Sequence, residues 1–316
     1  MTSRRVIALD LGGTQIRAAL FADDQLLRRA ALPTDVTGGP AGVFAQISTL
    51  TKQVCGSDDR SGVIGVGMSC AGPIDTVSGH VTDIPTLPGW EGMPLARELA
   101  NHTGLPVRVE NDGIAAALGE WRHGAGKGVA NMVYLTVSTG IGGGVIADGR
   151  LLHGHRGMAG HIGHMRLARD GPQCHCGAIG CFEAFAAGTA LRHRAIIAAQ
   201  DDSSPFLAAA RSDGIEARHV FDGARAGDKK CRDLLAEEAA YLGQGITSAI
   251  HMFSPERVVI GGGLSNGFEF LQDGIHRVIR RDAMPPFRHV PVVQAGLGGD
   301  SGLWGAASMV LHPENS

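Results

Sequence analysis

Apolar residues near the start of the chain form short uninterrupted runs, a pattern typical of buried strands. Residues 5–11 form one such run, residues 12–14 a tight turn, and residues 16–21 an antiparallel partner strand. Two further runs, at residues 63–68 and 106–109, predict additional buried strands. The first part of the chain therefore predicts a sheet that begins with a glycine-rich hairpin.

Between these runs the apolar positions change to a helical period. Residues 41–55 have this period, and the segment GIAAALGEW after Asp112 predicts a second helix. A long helix is predicted near residues 228–251 and a last one over residues 300–311. Strands that alternate with helices indicate an α/β fold.

The hairpin pattern occurs a second time in the middle of the chain. Residues 132–137 predict a strand, residues 138–144 a glycine-rich turn, and residues 145–147 the returning strand. The segments LDLGGTQIRAALFADD and LTVSTGIGGGVIADGR are alike in this order of features. We expect a duplicated architecture with two phosphate loops that face one cleft. We place the first domain at residues 1–120, completed by residues 300–316, and the second at residues 121–299.

Composition narrows the class of protein. The 316 residues suffice for two domains, and 44% hydrophobic with 19% charged residues indicate a globular chain. A net charge of -3 argues against nucleic-acid and anionic-membrane partners. No apolar run reaches the roughly 20 residues that span a bilayer, and no signal peptide is visible. We expect a cytoplasmic location.

Both glycine-rich turns suit phosphate groups, because successive backbone N–H groups lie there without side chains in the way. In the first turn, Asp10 precedes Gly12, Gly13 and Thr14, and its carboxylate could hold Mg²⁺ directly or through water. In the second turn, Thr139 and Gly140 repeat this chemistry. Each turn could instead be a simple hairpin connection. The matched pair favours phosphate binding, while no GxxxxGK[ST] motif indicates a P-loop.

Asn111 and Asp112 lie between a predicted strand and a predicted helix. A carboxylate at the carboxyl end of a strand could orient a sugar hydroxyl and accept its proton during phosphoryl transfer. Either residue could equally be a helix N-cap. The two roles are compatible, with Asn111 as the cap and Asp112 as the base.

Four metal-ligating side chains lie within eighteen residues: His164, Cys174, Cys176 and Cys181. One imidazole and three thiolates form a closed tetrahedral Zn²⁺ set without an open position for catalysis, so the predicted role is structural. Glu183 lies two residues after Cys181 and His161 three residues before His164, so both could lie in the same pocket or on the surface.

With these motifs in hand, the chain resembles the ROK family of sugar kinases, within the actin-like ATPase superfamily (ribonuclease H-like fold). The resemblance runs nearly end to end. It is carried by DLGGT at residues 10–14, ND at 111–112, STGIGGG at 138–144, GHIGH at 160–164, CHCGAIGCFE at 174–183 and VIGGG at 259–263.

The resemblance implies a two-domain fold with a cleft, ATP and Mg²⁺ as cosubstrate and cofactor, Zn²⁺ as a structural ion, and transfer of the γ-phosphate to the C6 hydroxyl of a hexose. Asp112 would be the base. The implied sugar contacts are Gly72, Asn111, Asp112, His161, His164 and Glu183. The implied nucleotide contacts are Asp10, Gly12, Gly13, Thr14, Thr139, Gly140, Gly262 and Gly263. Members of the family commonly form homodimers.

One residue departs from the common pattern. His161 stands where most glucokinases of the family have Glu, and GHIGH is similar to the N-acetylmannosamine kinases. A carboxylate only accepts hydrogen bonds, whereas a neutral imidazole donates one and accepts one. A changed partner near C2 of the sugar fits an acetamido substituent, so N-acetylmannosamine is the expected substrate.

The sequence alone leaves other functions open. Glucokinase and N-acetylglucosamine kinase are alternatives within the enzyme class. A sugar-sensing repressor of the same family would carry an N-terminal helix-turn-helix domain, and we expect none because the first strand begins within five residues of Met1. A non-catalytic sugar-binding module is disfavoured by the intact loops, and a zinc hydrolase by the filled metal sphere.

Overall fold

A computed structural model describes residues 3–56, 60–82, 84, 87–200 and 203–315. Met1 and Ser316, the outer ends of the predicted first domain, lie outside the described residues. The predicted α/β class is confirmed by two five-stranded sheets with helices between their strands.

The first sheet forms from the four predicted strands and one additional strand, Gln25–Pro33. In chain order the strands of the first half are β1 (Arg5–Leu11), β2 (Gln15–Ala22), β3 (Gln25–Pro33), β4 (Val63–Cys70), β5 (Ile74–Asp75), β6 (His80–Val81) and β7 (Val107–Asn111). The order in the sheet is β3-β2-β1-β4-β7, while β5 and β6 pair separately as a small hairpin. Because β1, β4 and β7 run parallel, their carboxyl ends lie at one edge.

The second sheet repeats this order. Its strands are β8 (Met132–Val137), β9 (Ile141–Ala147), β10 (Arg150–Leu151), β11 (Arg257–Gly261) and β12 (Val292–Gln294), in the order β10-β9-β8-β11-β12. β8, β11 and β12 are parallel. β9 begins at Ile141, so Gly142–Gly144 lie in a strand and the connecting turn is shorter than predicted. Position 144 requires glycine, because a Cβ there would lie 2.5 Å from the Cβ of Ala117.

The helices include several that the periodicity did not delimit. They are α1 (Gly39–Cys55), α2 (Leu95–Thr103), α3 (Asp112–His123), α4 (Phe182–Ala186), α5 (Gly188–Gln200), α6 (Pro205–Ala209), α7 (Ala217–Arg225), α8 (Lys229–Phe253), α9 (Phe268–Asp282) and α10 (Ser301–Leu311). Short 3₁₀ helices lie at His155–Gly157, Ile162–His164, Arg211–Asp213, Gly263–Gly267, Pro285–Phe287, Gly298–Asp300 and Pro313–Asn315.

Glycines let α10 lie close against the first sheet and α3. A Cβ on Gly67 of β4 would lie 1.8 Å from the carbonyl oxygen of Ala306, and one on Gly305 would lie 1.7 Å from that of Ala115. Any larger residue would push these backbones apart. α10 is therefore an integral layer beside the strands that carry the first glycine-rich turn.

The chain forms two compact units. Unit 1 contains residues 1–130, 144–160 and 299–316, and unit 2 contains residues 131–143 and 161–298. The boundary passes through β9. Among the described helices, none has the length and apolarity that crossing a bilayer requires.

Candidate functional site

Asp10 lies at the carboxyl end of β1 in unit 1, and its carboxylate is held from two sides. Ser69 of β4 donates a hydrogen bond to Asp10 Oδ1 at 2.6 Å, and Arg17 of β2 forms an ion pair with Oδ2. Asp10 is 6% exposed. Since both oxygens already have partners, this arrangement fits a water-mediated contact with a cation better than direct coordination.

The first glycine-rich turn follows directly. Gly12 N–H donates to the carbonyl oxygen of Gln15 at 3.0 Å and closes the turn, while Thr34 Oγ1 donates to the carbonyl oxygen of Gly12 at 2.7 Å. Gly13 is half-buried and Thr14 exposed. The turn is braced from below and open at its tip, which suits contact with a phosphate.

Asn111 and Asp112 begin α3, as predicted for a cap. Asn111 is the N-cap, and its Oδ1 accepts a hydrogen bond from Gly113 N–H at 3.0 Å. The same N–H lies 2.8 Å from Asp112 Oδ1. Cα register pairs Asp10 with Ser69 and Asn111 with Cys70, so the strand ends that carry Asp10 and Asn111 flank the end of β4.

Protein atoms around the carboxylate of Asp112 raise its pKa to about 6, mainly because they remove it from bulk water although part of the side chain stays exposed. The Gly113 N–H opposes this rise, and the nearby Asp10 carboxylate adds to it. A carboxylate with a pKa near 6 is ionised at neutral pH and is a stronger base than an ordinary Asp.

Gly72 follows β4 and precedes the small hairpin of β5 and β6. A Cβ there would lie 2.8 Å from Ile74 Cγ1 and 3.0 Å from the Ile74 backbone nitrogen. A side chain at position 72 would therefore disturb the chain immediately after the sheet edge.

In unit 2 the second glycine-rich turn lines a large cavity. Thr139 and Gly263 both line a space of about 830 Å³, together with one face of α7 that includes Arg218, Phe221 and Asp222. Thr189 Oγ1 donates to the carbonyl oxygen of Thr139 at 2.9 Å. No motif in the sequence identifies α7, so the contribution of this helix to the cavity was not predicted.

Gly262 has a φ of +82°, and a Cβ there would lie 2.4 Å from the carbonyl oxygen of Val137. Glycine is therefore required where the end of β11 approaches β8. Ser265 Oγ donates to the carbonyl oxygen of Gly262 at 2.7 Å and stabilises this turn at the cavity wall.

The four candidate metal ligands converge. One donor atom from each of His164, Cys174, Cys176 and Cys181 lies within 4.8 Å of the others. His164 Nδ1 lies 3.6 Å from Cys174 Sγ, and the Sγ atoms of Cys176 and Cys181 are 3.7 Å apart. A tetrahedral ion with metal–sulfur bonds of about 2.3 Å has ligand edges of about 3.8 Å. The donor set and its spacing therefore fit Zn²⁺. The three cysteines of the cluster form no disulfide, so their thiolates can bind the ion.

Backbone turns produce this convergence. Gly177 N–H donates to the carbonyl oxygen of Cys174 at 2.9 Å, and Gly177 and Gly180 have φ of +86° and +80°. A Cβ on Gly180 would lie 2.1 Å from the carbonyl oxygen of Ala168. These glycines reverse the chain between the second and third cysteines.

Two further predicted residues lie beside this cluster. Glu183 lies in the first turn of α4, its Oε1 lies 3.6 Å from Cys174 Sγ, and its Oε2 accepts a hydrogen bond from Ile141 N–H at 2.8 Å. The ring of His161 is centred 6.3 Å from that of His164. Burial, with a smaller contribution from the charge of His164, lowers the pKa of His161 and favours a neutral ring.

Two side chains that hold Asp10 were missed in the sequence. Arg17 is the Cα partner of Asp10 across the β1–β2 hairpin, a register that the turn itself defines. Ser69 comes from β4, 59 residues away along the chain, and no local signal identifies it.

Comparison with known proteins gives consistent matches over almost the whole chain. The model of the ROK family matches residues 6–312. A glucokinase of Thermotoga maritima is 36% identical over 98% of this chain and 98% of its own length. An N-acetylmannosamine kinase of Citrobacter koseri is 35% identical over 95% of this chain and 97% of its own. The crystal structure of a ROK family glucokinase from Streptomyces griseus, in complex with glucose and AMPPNP, has a TM-score of 0.84 and 34% identity, and the match covers 97% and 99% of the two chains.

Proposed function

The chain belongs to the ROK family and is a sugar kinase, and we propose that it transfers the γ-phosphate of ATP to the C6 hydroxyl of N-acetylmannosamine. Identity over the whole chain does not decide the sugar, because glucokinases and N-acetylmannosamine kinases are matched equally well. The observation that carries this choice is His161, a histidine next to the candidate metal ligand His164 at the position where most glucokinases of the family have Glu.

Asp112 is the proposed base. Its raised pKa suits removal of a proton from the sugar hydroxyl as the phosphoryl group transfers. Asn111 uses its side-chain oxygen on Gly113 N–H, and its amide NH₂ has two hydrogens, so it can donate to the Asp112 carboxylate and also to a sugar hydroxyl. The pair thus combines an acceptor and a donor at one helix start.

The first turn, with Gly12, Gly13 and Thr14, and the second turn, with Thr139 and Gly140, would contact the phosphates of ATP. Gly262 and Gly263 would contact the nucleoside, because Gly263 lines the same cavity as Thr139. When bound, Mg²⁺ supplies positive charge to the phosphates, and Asp10 would hold it through water. Ser69 and Arg17 keep the Asp10 carboxylate oriented.

His164, Cys174, Cys176 and Cys181 would hold Zn²⁺, which would cross-link the loop between them. His164 directs Nδ1 toward Cys174, so its Nε2 is left for a sugar hydroxyl. Glu183 follows the last cysteine and would accept hydrogen bonds from other sugar hydroxyls. Gly72 would add a backbone contact.

At the sugar C2 position, a neutral His161 can donate a hydrogen bond to the acetamido carbonyl, which a glutamate cannot do. The test is a coupled ADP-release assay with ATP and Mg²⁺ against N-acetylmannosamine, N-acetylglucosamine, glucose and mannose. We expect the highest kcat/KM for N-acetylmannosamine. A preference for glucose or N-acetylglucosamine would assign the chain to one of the alternative kinases and overturn the role of His161.

The proposal extends to a homodimer that works in the cytoplasm, as the family resemblance implies. Light scattering on the purified protein should give twice the mass of one chain. A monomer mass would remove the homodimer from the proposal and leave the chemistry unchanged.

A further inference from the structure

The residue before the sugar pair is a buried carboxylate. Glu110, the penultimate residue of β7, is 2% exposed. Its Oε1 accepts a hydrogen bond from the backbone N–H of Asn111 at 2.8 Å. Its Oε2 lies 3.3 Å from Nε2 of His153. A carboxylate so deeply buried is costly unless both oxygens have partners, and here each has one.

His153 begins a loop that contacts the rest of unit 1 at its start and at its tip. Ala159 N–H donates to the carbonyl oxygen of His153 at 2.9 Å, which closes residues 153–159 into what we call the anchored loop. At its tip, Arg156 contacts Asp75 through Nε at 2.7 Å and Nη2 at 2.6 Å. The loop ends two residues before His161 in the chain.

The tip is held in an unfavourable backbone conformation. Arg156 has a φ of +61°, a left-handed conformation that is unfavourable for a residue with a side chain. Thr76 N–H donates to the carbonyl oxygen of Arg156 at 3.1 Å, and a Cβ on Gly157 would lie 1.9 Å from Thr76 Oγ1. Such strain persists only where the surroundings enforce it, and here two nitrogens of Arg156 contact the same oxygen, Asp75 Oδ2.

We propose that Glu110 is a positioning residue that fixes the backbone of Asn111 and couples it, through His153, to the anchored loop. This inference deepens the proposed function, since it rests on Asn111 and Asp112 as sugar-binding and catalytic residues. Glu110 has no free oxygen for the sugar and acts only through its neighbours. Displacing Asn111 by even a fraction of an ångström would misalign the C6 hydroxyl with Asp112.

Steady-state kinetics on four single variants and one double variant test the coupling, with the sugar that the unmodified enzyme phosphorylates best in the panel above. Using that sugar separates this test from the identity of the substrate. Glu110→Ala removes both contacts, and Glu110→Gln keeps an acceptor for Asn111 N–H. His153→Ala breaks the pair, and His153→Gln returns an NH₂ group near the position of Nε2.

We expect Glu110→Ala to lower kcat/KM for the sugar about 100-fold while the KM for ATP changes less than about twofold. Glu110→Gln should lose less than about fivefold. His153→Ala should lose about tenfold, and His153→Gln should recover most of it. In a Glu110→Ala, His153→Ala double variant the losses should not multiply, because both act through one contact.

Folded Glu110→Ala with sugar kcat/KM within about threefold of the unmodified enzyme would overturn the proposal, as would equal effects on the KM values of sugar and ATP. Multiplicative losses in the double variant would also overturn it. If Glu110→Ala does not fold, the two His153 variants decide: no loss in His153→Ala, or no recovery in His153→Gln, contradicts the coupling.

Discussion

Glu183 accepts a hydrogen bond from the backbone N–H of Ile141 at 2.8 Å, and this contact joins the segment of the candidate metal ligands to the second glycine-rich turn. The same carboxylate reaches Cys174 Sγ at 3.6 Å with its other oxygen. One side chain therefore contacts both the proposed zinc site and the turn proposed to hold phosphate. A substitution in the second glycine-rich turn should therefore alter the position of the Glu183 carboxylate, and a substitution at the metal ligands should do the same.

Gly140→Ala tests this link. A Cβ at position 140 would lie 2.4 Å from Glu183 Oε2, closer than atoms can approach, so the carboxylate or the turn must move. We expect kcat/KM to fall at least about tenfold for both ATP and sugar, because both rely on this position. Zinc content, measured by elemental analysis, should stay at the unmodified level. Unchanged kinetics would show that Glu183 can move without consequence.

Asp112→Asn should abolish most turnover and leave the fold intact. The side chain is exposed at the start of α3, and an amide oxygen can still accept from Gly113 N–H. Loss of a general base lowers kcat by about 10²–10⁴-fold. The matched control is Asp273→Asn, an exposed Asp on α9, which should keep full activity. Near-normal kcat in Asp112→Asn would remove Asp112 from the role of base.

The pH profile should report the same residue. Because Asp112 must be deprotonated to accept a proton, and its pKa is raised to about 6, kcat/KM should rise with pH and level off above about pH 7. A base with the ordinary Asp pKa of about 4 would already be ionised, so kcat/KM would stay constant between about pH 5.5 and 7. The residual activity of Asp112→Asn should lack the inflection near pH 6. An inflection that persists in this variant belongs to another group.

Cys176→Ser should release the metal ion. Cys176 is exposed, so the substitution costs little packing and its effect reports on ligation. We expect less than one zinc per chain and a weaker sugar affinity, measured by elemental analysis and calorimetry. Cys231→Ser is the control, because Cys231 is buried in α8 and is not part of the metal cluster. The Cys231→Ser protein should therefore keep its full zinc content. Full zinc content in Cys176→Ser would contradict the ligand assignment.

His161→Glu should change the preferred sugar. The substitution restores the residue of most glucokinases in the family and replaces a hydrogen-bond donor with an acceptor-only group. We expect the ratio of kcat/KM for N-acetylmannosamine over glucose to fall at least about tenfold, the size of one good hydrogen bond. His161→Gln, which retains a donor, should keep more of the original preference. An unchanged ratio would place the specificity elsewhere.

The sequence predicted the parts of the molecule that local patterns encode. Uninterrupted apolar runs located β1, β4 and β8, and the motifs led to the correct family. Cysteine spacing located a cluster that the structure brings together. These signals are local because each uses neighbouring residues in one strand or loop.

Contacts between distant segments could not be predicted in the same way. α7, with the sequence ARHVFDGAR, has no motif that would place Arg218 at the cavity of the second turn. Glu183 meets Ile141 across 42 residues, and Ser69 meets Asp10 across 59. Arg17 is the exception, since the hairpin turn fixes its pairing with Asp10 and counting from the turn would have found it.

The position of α10 has a consequence for synthesis of the chain. This helix packs through Gly305 and Ala306 against α3 and β4, yet it follows all of unit 2 in the sequence. A ribosome releases the strands of unit 1 long before the helix that covers them. The nascent chain therefore carries an uncovered apolar face on its first sheet until α10 has been synthesised, and such a face is one that chaperones bind.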